Sequence, residues 1–132
     1  LPEEALETLC ASATRAVSPL TQVICVRGGG AVGRVPEDAT AFGNRAALYN
    51  VHYLSMWADA SEDSRNVAWT RAILAAMKPW STGGVYLNFI GDEGQARVRS
   101  AFTAEKWDRL RALKRAWDPD NVFRHNQNIP PA

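Results

Sequence analysis

The side chains best suited to holding a polar ligand lie in two short segments rich in amides and aromatic rings. One segment is Tyr-Leu-Asn-Phe at residues 86–89, and the other is Asn-Gln-Asn at residues 126–128. An amide side chain both donates and accepts hydrogen bonds, so either segment can line a site for a polar heterocycle. The structural alternative is that Asn88 closes a turn and that the tail amides tie down the C-terminus.

Acid–base chemistry near neutral pH points to histidine, and the chain contains His52 and His125. Residues 47–57 alternate in the manner of a strand, which places Asn50 and His52 on one face. His52 is therefore a candidate general base, and a partly exposed strand histidine is its structural alternative. Neither histidine has a Cys, His or carboxylate partner at ligand spacing, so we predict no metal site.

The spacing of apolar residues predicts three main helices and three strands that must position these groups. The helices end near Val17, Met77 and Trp117, and Ser61 or Ser64 is expected to cap the second. The predicted strands are residues 21–27, which we expect to be covered on both faces, residues 47–57 and residues 85–90.

The same patterns predict which side chains are buried. Cys10 and Cys25 lie in apolar stretches, so we expect both side chains to be buried as small hydrophobes. A disulfide between them is the minority alternative. Steps of three, three and four residues in the last helix predict one buried stripe. The stripe consists of Trp107, Leu110, Leu113 and Trp117. Asp118-Pro119 then forms a turn, which Val122 and Phe123 are expected to anchor in a core.

Composition excludes several classes of function. The chain has 132 residues and a net charge of +1, which suits one domain and provides no field to attract nucleic acid or an anionic membrane. No apolar run approaches membrane-spanning length. Gly28-Gly29-Gly30 has the wrong spacing for a dinucleotide or phosphate loop. We expect a soluble protein, of bacterial-type cytoplasmic or secreted location, that acts on a small molecule.

Five motifs in this order resemble the C-terminal part of the berberine bridge enzyme-like flavin-linked oxidases. They are Phe-x-x-Arg at residues 42–45, Tyr-x-Asn-aromatic at 86–89, Arg-Leu-x-x-x-Lys at 109–114, Asp-Pro-x-Asn-x-Phe-Arg at 118–124 and Asn-Gln-Asn-Ile at 126–129. Each motif alone is weak, but together they cover roughly the last hundred residues.

The resemblance implies an α+β fold with a mainly antiparallel sheet covered by helices on one side, as part of a larger two-domain flavoenzyme. Residues 1–80 would be the C-terminal part of the substrate-binding domain, and residues 81–132 a berberine-like segment that packs toward the flavin. Because the family's enzymes are several times longer, we interpret the chain as a fragment, inactive alone. Its expected partner is the flavin-binding domain of the same protein, and a homodimer that hides the exposed apolar face is the alternative.

The resemblance also implies FAD as cofactor and oxidation of an alcohol or amine by hydride transfer to flavin N5. The side chains expected near the flavin are Tyr86, Asn88, Asn126 and Asn128.

Family members place a base at either of two positions, which are Asn50 and Phe89 here, and neither side chain accepts a proton at a useful pKa. His52 is the expected substitute, and Tyr49 and Tyr53 are further candidates on the opposite face. A ligand-binding or structural module that keeps the fold without catalysis is the alternative function.

Overall fold

The computed structural model describes residues 1–125 and 127–132, and within these residues the chain forms five α-helices and two β-strands. The helices are α1 (Glu3–Ala13), α2 (Gly30–Arg34), α3 (Asp63–Met77), α4 (Gln95–Arg99) and α5 (Ala104–Trp117). The strands are β1 (Gln22–Arg27) and β2 (Tyr49–Leu54), and they pair in antiparallel orientation. The predicted α+β class with an antiparallel sheet is confirmed.

The chain divides into two compact units, each built from two segments. The first unit contains Leu1–Arg27 and Tyr49–Thr82, and the second contains Gly28–Leu48 and Gly83–Ala132. The chain therefore leaves the first unit after β1 and returns to it at β2.

Helices α1 and α3 form the core of the first unit against one side of the sheet. The buried core residues are Ala5, Leu9, Ile73 and Met77, and Val51 and Tyr53 of β2 pack against them. Ile73 is 1% exposed, which places this face of α3 in the core. A 3₁₀ turn over Ala60–Glu62 precedes α3 and is capped by Asp59, which accepts a hydrogen bond from Ser61 N at 2.9 Å. The predicted cap at Ser61 or Ser64 is therefore wrong.

The strand register places four side chains on the sheet face opposite the helices. His52 pairs with Ile24 and Asn50 pairs with Val26. Paired residues share a face and successive residues alternate, so these four side chains form what we call the outer sheet face. Ile24 is 37% exposed and Val26 is 47% exposed, so the prediction that β1 is covered on both faces is wrong for this chain. Within the first unit, α1 and α3 cover the other face.

The prediction that both cysteines are buried is also wrong, because Cys10 and Cys25 are exposed free thiols. Cys10 follows the buried Leu9 directly, and one residue of an α-helix turns the side chain about 100° away from its neighbour. On β1 the core contacts reach Val23 but do not include Cys25. The apolar patterns therefore predicted a helix around Cys10 and a strand around Cys25 correctly, but they did not predict which residues of these elements are buried.

In the second unit, α5 has the predicted bounds and ends in the predicted turn. Thr103 caps its N-terminus by accepting a hydrogen bond from Lys106 N. After the helix, Asp118 accepts hydrogen bonds from the backbone N–H groups of Val122 at 2.7 Å and Phe123 at 3.0 Å. It also pairs with Lys114, whose hydrogen bond holds the pKa of the Asp118 carboxyl below its ordinary value.

The side chains around this turn point away from the core, contrary to prediction. Val122 is 64% exposed, Phe123 80%, Leu113 48% and Trp117 86%, whereas Trp107 is buried beneath Phe102 and Arg99. Helical periodicity shows which residues share a face, but it does not show how far along the helix that face is covered.

A search of the described residues for a helix both long and apolar enough to cross a membrane finds no such helix.

Candidate functional site

The predicted strand at residues 85–90 is instead a 3₁₀ turn over Leu87–Phe89. The turn is closed by a hydrogen bond from Phe89 N to Tyr86 O at 2.9 Å. In a 3₁₀ turn, side chains three residues apart lie one above the other, so Phe89 comes to the same side as Tyr86. In a strand, by contrast, Asn88 and Phe89 would point to opposite faces.

Tyr86 lies at the centre of a group of four side chains, the aromatic–amide cluster of Phe42, Tyr86, Asn88 and Phe89. The Tyr86 ring contacts Phe89 with centroids 4.8 Å apart and Phe42 with centroids 5.7 Å apart, both edge to face. Asn88 Nδ2 donates a hydrogen bond to the Tyr86 hydroxyl at 2.9 Å. Phe42 is 40% exposed, Phe89 is 43% exposed, and Asn88 is also exposed. The cluster thus presents two rings and an amide to a ligand.

The loop over residues 42–45 supports the cluster. Its Arg45 guanidinium donates to Val32 O at 3.0 Å and to Thr40 Oγ1 at 2.6 Å, and it lies 4.9 Å from the centre of the Phe42 ring. These contacts to a backbone carbonyl and a hydroxyl give Arg45 a structural role. Arg45 thus supports the cluster by packing against the Phe42 ring and is not part of the surface that a ligand would contact.

An ion pair between Glu37 and Lys106 lies behind this loop. Lys106 Nζ is 2.7 Å from Glu37 Oε1, and the Lys106 side chain is 6% exposed. The hydrogen bond from Lys106 lowers the pKa of the Glu37 carboxyl, and a further bond from Arg45 N acts in the same direction. Sequence reasoning missed Lys106, since the two residues are 69 positions apart and no local pattern connects them.

A cavity of about 420 Å³ opens beside α5 and is lined partly by this ion pair. Its apolar walls include Ala39, Ala41 and Leu110. None of the predicted site residues that the structure describes is among its lining residues, so the cavity does not mark the predicted site.

The C-terminal tail is tied down by the Gln127 amide, whereas the Asn128 amide oxygen is unsatisfied. Gln127 Nε2 donates to Ile90 O at 2.9 Å and to Gly91 O at 3.1 Å, which matches the structural alternative for the tail. Asn128 Oδ1 is buried and has no hydrogen-bond partner among the described residues. Asn126 lies outside the described residues. A buried acceptor without a partner is unfavourable, so Asn128 is suited to receive a donor from a ligand.

The predicted base lies in the first unit, on the outer sheet face. His52 is half-buried there, two residues from Asn50, whose Oδ1 is buried without a hydrogen-bond partner in the described part of the chain. Tyr53 lies on the helical side, and burial raises the pKa of its phenol, which opposes a role as a base near neutral pH. Tyr49 is likewise on the helical side, beneath the Arg27 guanidinium. Of the candidates on β2, His52 best suits proton transfer.

Across residues 1–125 and 127–132, no group of three or more His, Cys, Asp or Glu side chains is arranged to hold a metal ion.

Comparison with known proteins gives a family match for the segment that carries Tyr86, Asn88, Phe89 and most of the tail. The family model described as "Berberine and berberine like" matches residues 85–130. The chain is 39% identical over 103 residues to the uncharacterised FAD-linked oxidoreductase YgaK of Bacillus subtilis, a match that covers 78% of this chain and 22% of that protein. It is 29% identical over 147 residues to tetrahydroberberine oxidase of Berberis wilsoniae, covering 99% of this chain and 28% of the oxidase.

Two solved structures share the fold. A variant of BBE-like 1 from Physcomitrella patens has a TM-score of 0.84 at 23% identity and covers all of this chain but 28% of its own. Aclacinomycin oxidoreductase has a TM-score of 0.72 at 26% identity, with 95% of this chain and 30% of its own chain covered. The chain spans less than a third of the length of each of these four proteins.

Proposed function

We propose that this chain, which belongs to the berberine bridge enzyme-like family, is the substrate-side and C-terminal part of an FAD-dependent oxidoreductase. The substrate would be an alcohol or an amine, oxidised by hydride transfer to flavin N5. The observation that carries the proposal is the aromatic–amide cluster, which lies in and beside the matched segment and is held by the Tyr86–Asn88 hydrogen bond.

The chemistry of the cluster and tail fits an isoalloxazine ring. Exposed rings at Phe42 and Phe89 offer apolar contact to a flat heterocycle, and the amide of Asn88 offers hydrogen bonds to its polar edge. Asn128 Oδ1 is a buried acceptor that lacks a donor within the described residues. We assign flavin contacts to Tyr86, Asn88 and Asn128, and Asn126 keeps the same assignment from its sequence motif. Most other flavin contacts would come from an N-terminal portion of the same protein.

The bound flavin would accept the hydride, and this chain would handle the proton. His52 removes a proton from the substrate hydroxyl or amine and holds it on its imidazole. Asn50 lies beside it on the outer sheet face and orients the substrate with its unsatisfied Oδ1. Exposed Ile24 and Val26 on the same face provide apolar contact for the substrate.

Substitution of His52 tests this assignment in the complete protein. His52→Gln is expected to lower kcat/KM by roughly 10²- to 10⁴-fold, the usual contribution of a general base, with flavin content unchanged. His125→Gln is the matched control, because His125 is the other histidine and is exposed. Anaerobic bleaching of the flavin by a panel of alcohols, sugars and amines identifies a substrate for the assay. Equal activity of both variants would refute the role of His52.

The cofactor assignment has its own test. The absorbance spectrum of the complete protein, recorded before and after acid precipitation, should show a flavin and reveal whether it is covalently attached. A colourless protein would favour the second candidate, a non-catalytic binding or structural module. The observation that favours this alternative is that Asn50 and Phe89 stand where family members carry a base.

The side chains of Leu113 and Trp117 on α5, and of Val122 and Phe123 in the turn after it, are exposed and apolar. We assign this surface to contact with the flavin-binding part of the same protein. The Asp118 hydrogen bonds support the assignment, because they hold the backbone that carries Val122 and Phe123 in one conformation. Sedimentation of the complete protein as a monomer would agree with it, whereas a dimer that Trp117→Ser dissociates would favour a second copy as the partner.

A further inference from the structure

The ion pair of Lys106 and Glu37 has a feature that the proposed function does not explain. The Lys106 side chain is 6% exposed, although the Glu37 side chain is 39% exposed. Burial of an ammonium group is unfavourable unless protein partners replace its water, and an apolar residue often fills such a position with equal or greater stability. The pair therefore calls for a role beyond packing.

The ion pair holds both ends of the loop that runs from Phe42 to Arg45. Lys106 Nζ donates to Phe42 O at 2.8 Å, and Glu37 Oε2 accepts from Arg45 N at 3.0 Å. In the middle of the loop, Gly43 has no room for a side chain, because a Cβ atom would lie 2.5 Å from a backbone oxygen just after α4. The loop is thus fixed at its first residue, its middle and its last residue.

The loop in turn holds the aromatic–amide cluster through Asn44 and Phe42. Asn44 has a φ of 61°, a conformation that Asn tolerates better than most residues, and its Nδ2 donates to Val85 O at 3.2 Å. Its amide fills the volume that a Cβ atom on Gly84 would need. The Phe42 ring packs against Tyr86. A displacement of the loop would therefore move the turn that carries Tyr86.

We propose that Lys106 and Glu37 are positioning residues that set the orientation of the aromatic–amide cluster through the Phe42–Arg45 loop. Charge-assisted hydrogen bonds are directional, so this pair restricts the loop more narrowly than an apolar contact of the same volume. The consequence for flavin rests on the proposed function, whereas the restraint on the turn does not.

Hydrogen–deuterium exchange in the complete protein tests the restraint. Glu37→Gln is expected to increase exchange of the backbone amides of residues 85–90 by about tenfold, the change that loss of one charged hydrogen bond produces in a local opening equilibrium. Glu93→Gln is the matched control, because it removes a carboxylate from an exposed ion pair with Arg97 in the same unit. The control should leave exchange in residues 85–90 unchanged.

A double variant separates positioning from stability. Glu37→Gln leaves Lys106 buried and charged, whereas Glu37→Gln combined with Lys106→Met removes that charge. We expect the double variant to regain the urea midpoint lost in the single variant while exchange in residues 85–90 stays fast. Recovery of both properties, or unchanged exchange in Glu37→Gln, would overturn the proposal.

The flavin spectrum distinguishes this proposal from the proposed function. Glu37→Gln should displace the visible absorption band of the bound flavin at unchanged flavin content, and Glu93→Gln should not. An unmoved band in both variants would overturn the link to the cofactor. A colourless parent protein would contradict the proposed function, and the exchange rates alone would then decide whether the ion pair positions the turn.

Discussion

Truncation of Ile73 should unfold the first unit more readily than any surface change on the same helix. Ile73 is 1% exposed and lies in the core with Ala5, Leu9 and Met77. Ile73→Ala removes the equivalent of about three methylene groups, or about 2.4 kcal/mol at about 0.8 kcal/mol each. The cavity left behind adds to this transfer cost, so we expect a loss of about 3–4 kcal/mol in the free energy of unfolding.

Urea denaturation followed by tryptophan fluorescence measures this loss. Trp69 is a suitable reporter, because its indole N–H on α3 donates to Ser12 O on α1 at 3.1 Å and the two helices must separate on unfolding. Leu74→Ala is the matched control on the next residue of α3, where the side chain is 43% exposed, and it should cost less than about 1 kcal/mol. A smaller loss for Ile73→Ala than for Leu74→Ala would refute the assignment of the core.

Two further predictions concern the second unit. Gly84→Ala should lower its stability by about 1–2 kcal/mol, because the new Cβ displaces Asn44 from its hydrogen bond, whereas Gly91→Ala meets no atom within 4 Å and should be nearly neutral in the same urea titration. Equal losses of stability in Gly84→Ala and Gly91→Ala would contradict the close contact between Gly84 and Asn44. Hydrogen bonds from lysine lower the pKa values of Glu37 and Asp118 in the folded state. Their contribution to stability is therefore complete above the unfolded carboxyl pKa values and is lost as pH falls below about 4. The urea midpoint should fall on acidification, and it should fall less steeply in Asp118→Asn. A midpoint that rises on acidification would contradict the lowered pKa values of Glu37 and Asp118.

Local signals in the sequence predicted α5 well, whereas α1 ends at Ala13 rather than near Val17 as predicted, and α2 was not predicted. For α5 the apolar spacing and Asp118-Pro119 at the end are short-range features, and the helix ends at Trp117 as predicted, although its cap at Thr103 was not predicted. The strands β1 and β2 were also found in their predicted regions, although β2 is shorter than the alternation suggested. Elements whose limits depend on nearby residues are therefore predictable from this sequence.

The segment at residues 85–90 was predicted as the wrong element for a physical reason. A short apolar run between glycines is compatible with a strand or a tight turn, and periodicity cannot choose between them. In the observed turn, Tyr86 and Asn88 meet because a hydrogen bond joins their side chains. The predicted strand is therefore wrong, whereas the flavin contacts expected of Tyr86 and Asn88 stay a prediction.

Burial and long-range contacts were the least predictable features. The stripe on α5 is buried at Trp107 and exposed at Trp117, a difference set by neighbouring segments rather than by the helix itself. The contact of Lys106 with Glu37 depends on the fold of the whole second unit. Neither could be read from residue spacing.

The interleaved path of the chain limits how the two units can be separated. Gly28–Leu48 belongs to the second unit but connects the paired strands of the first, so no single cut in the backbone releases either unit intact. The register ends with Arg27 opposite Tyr49, which is where a two-residue hairpin turn would join β1 to β2. Replacing Gly28–Leu48 with Asn-Gly would therefore give the first unit an uninterrupted chain, whereas the second unit could be isolated only as two associated peptides or with its segments rejoined in a new order.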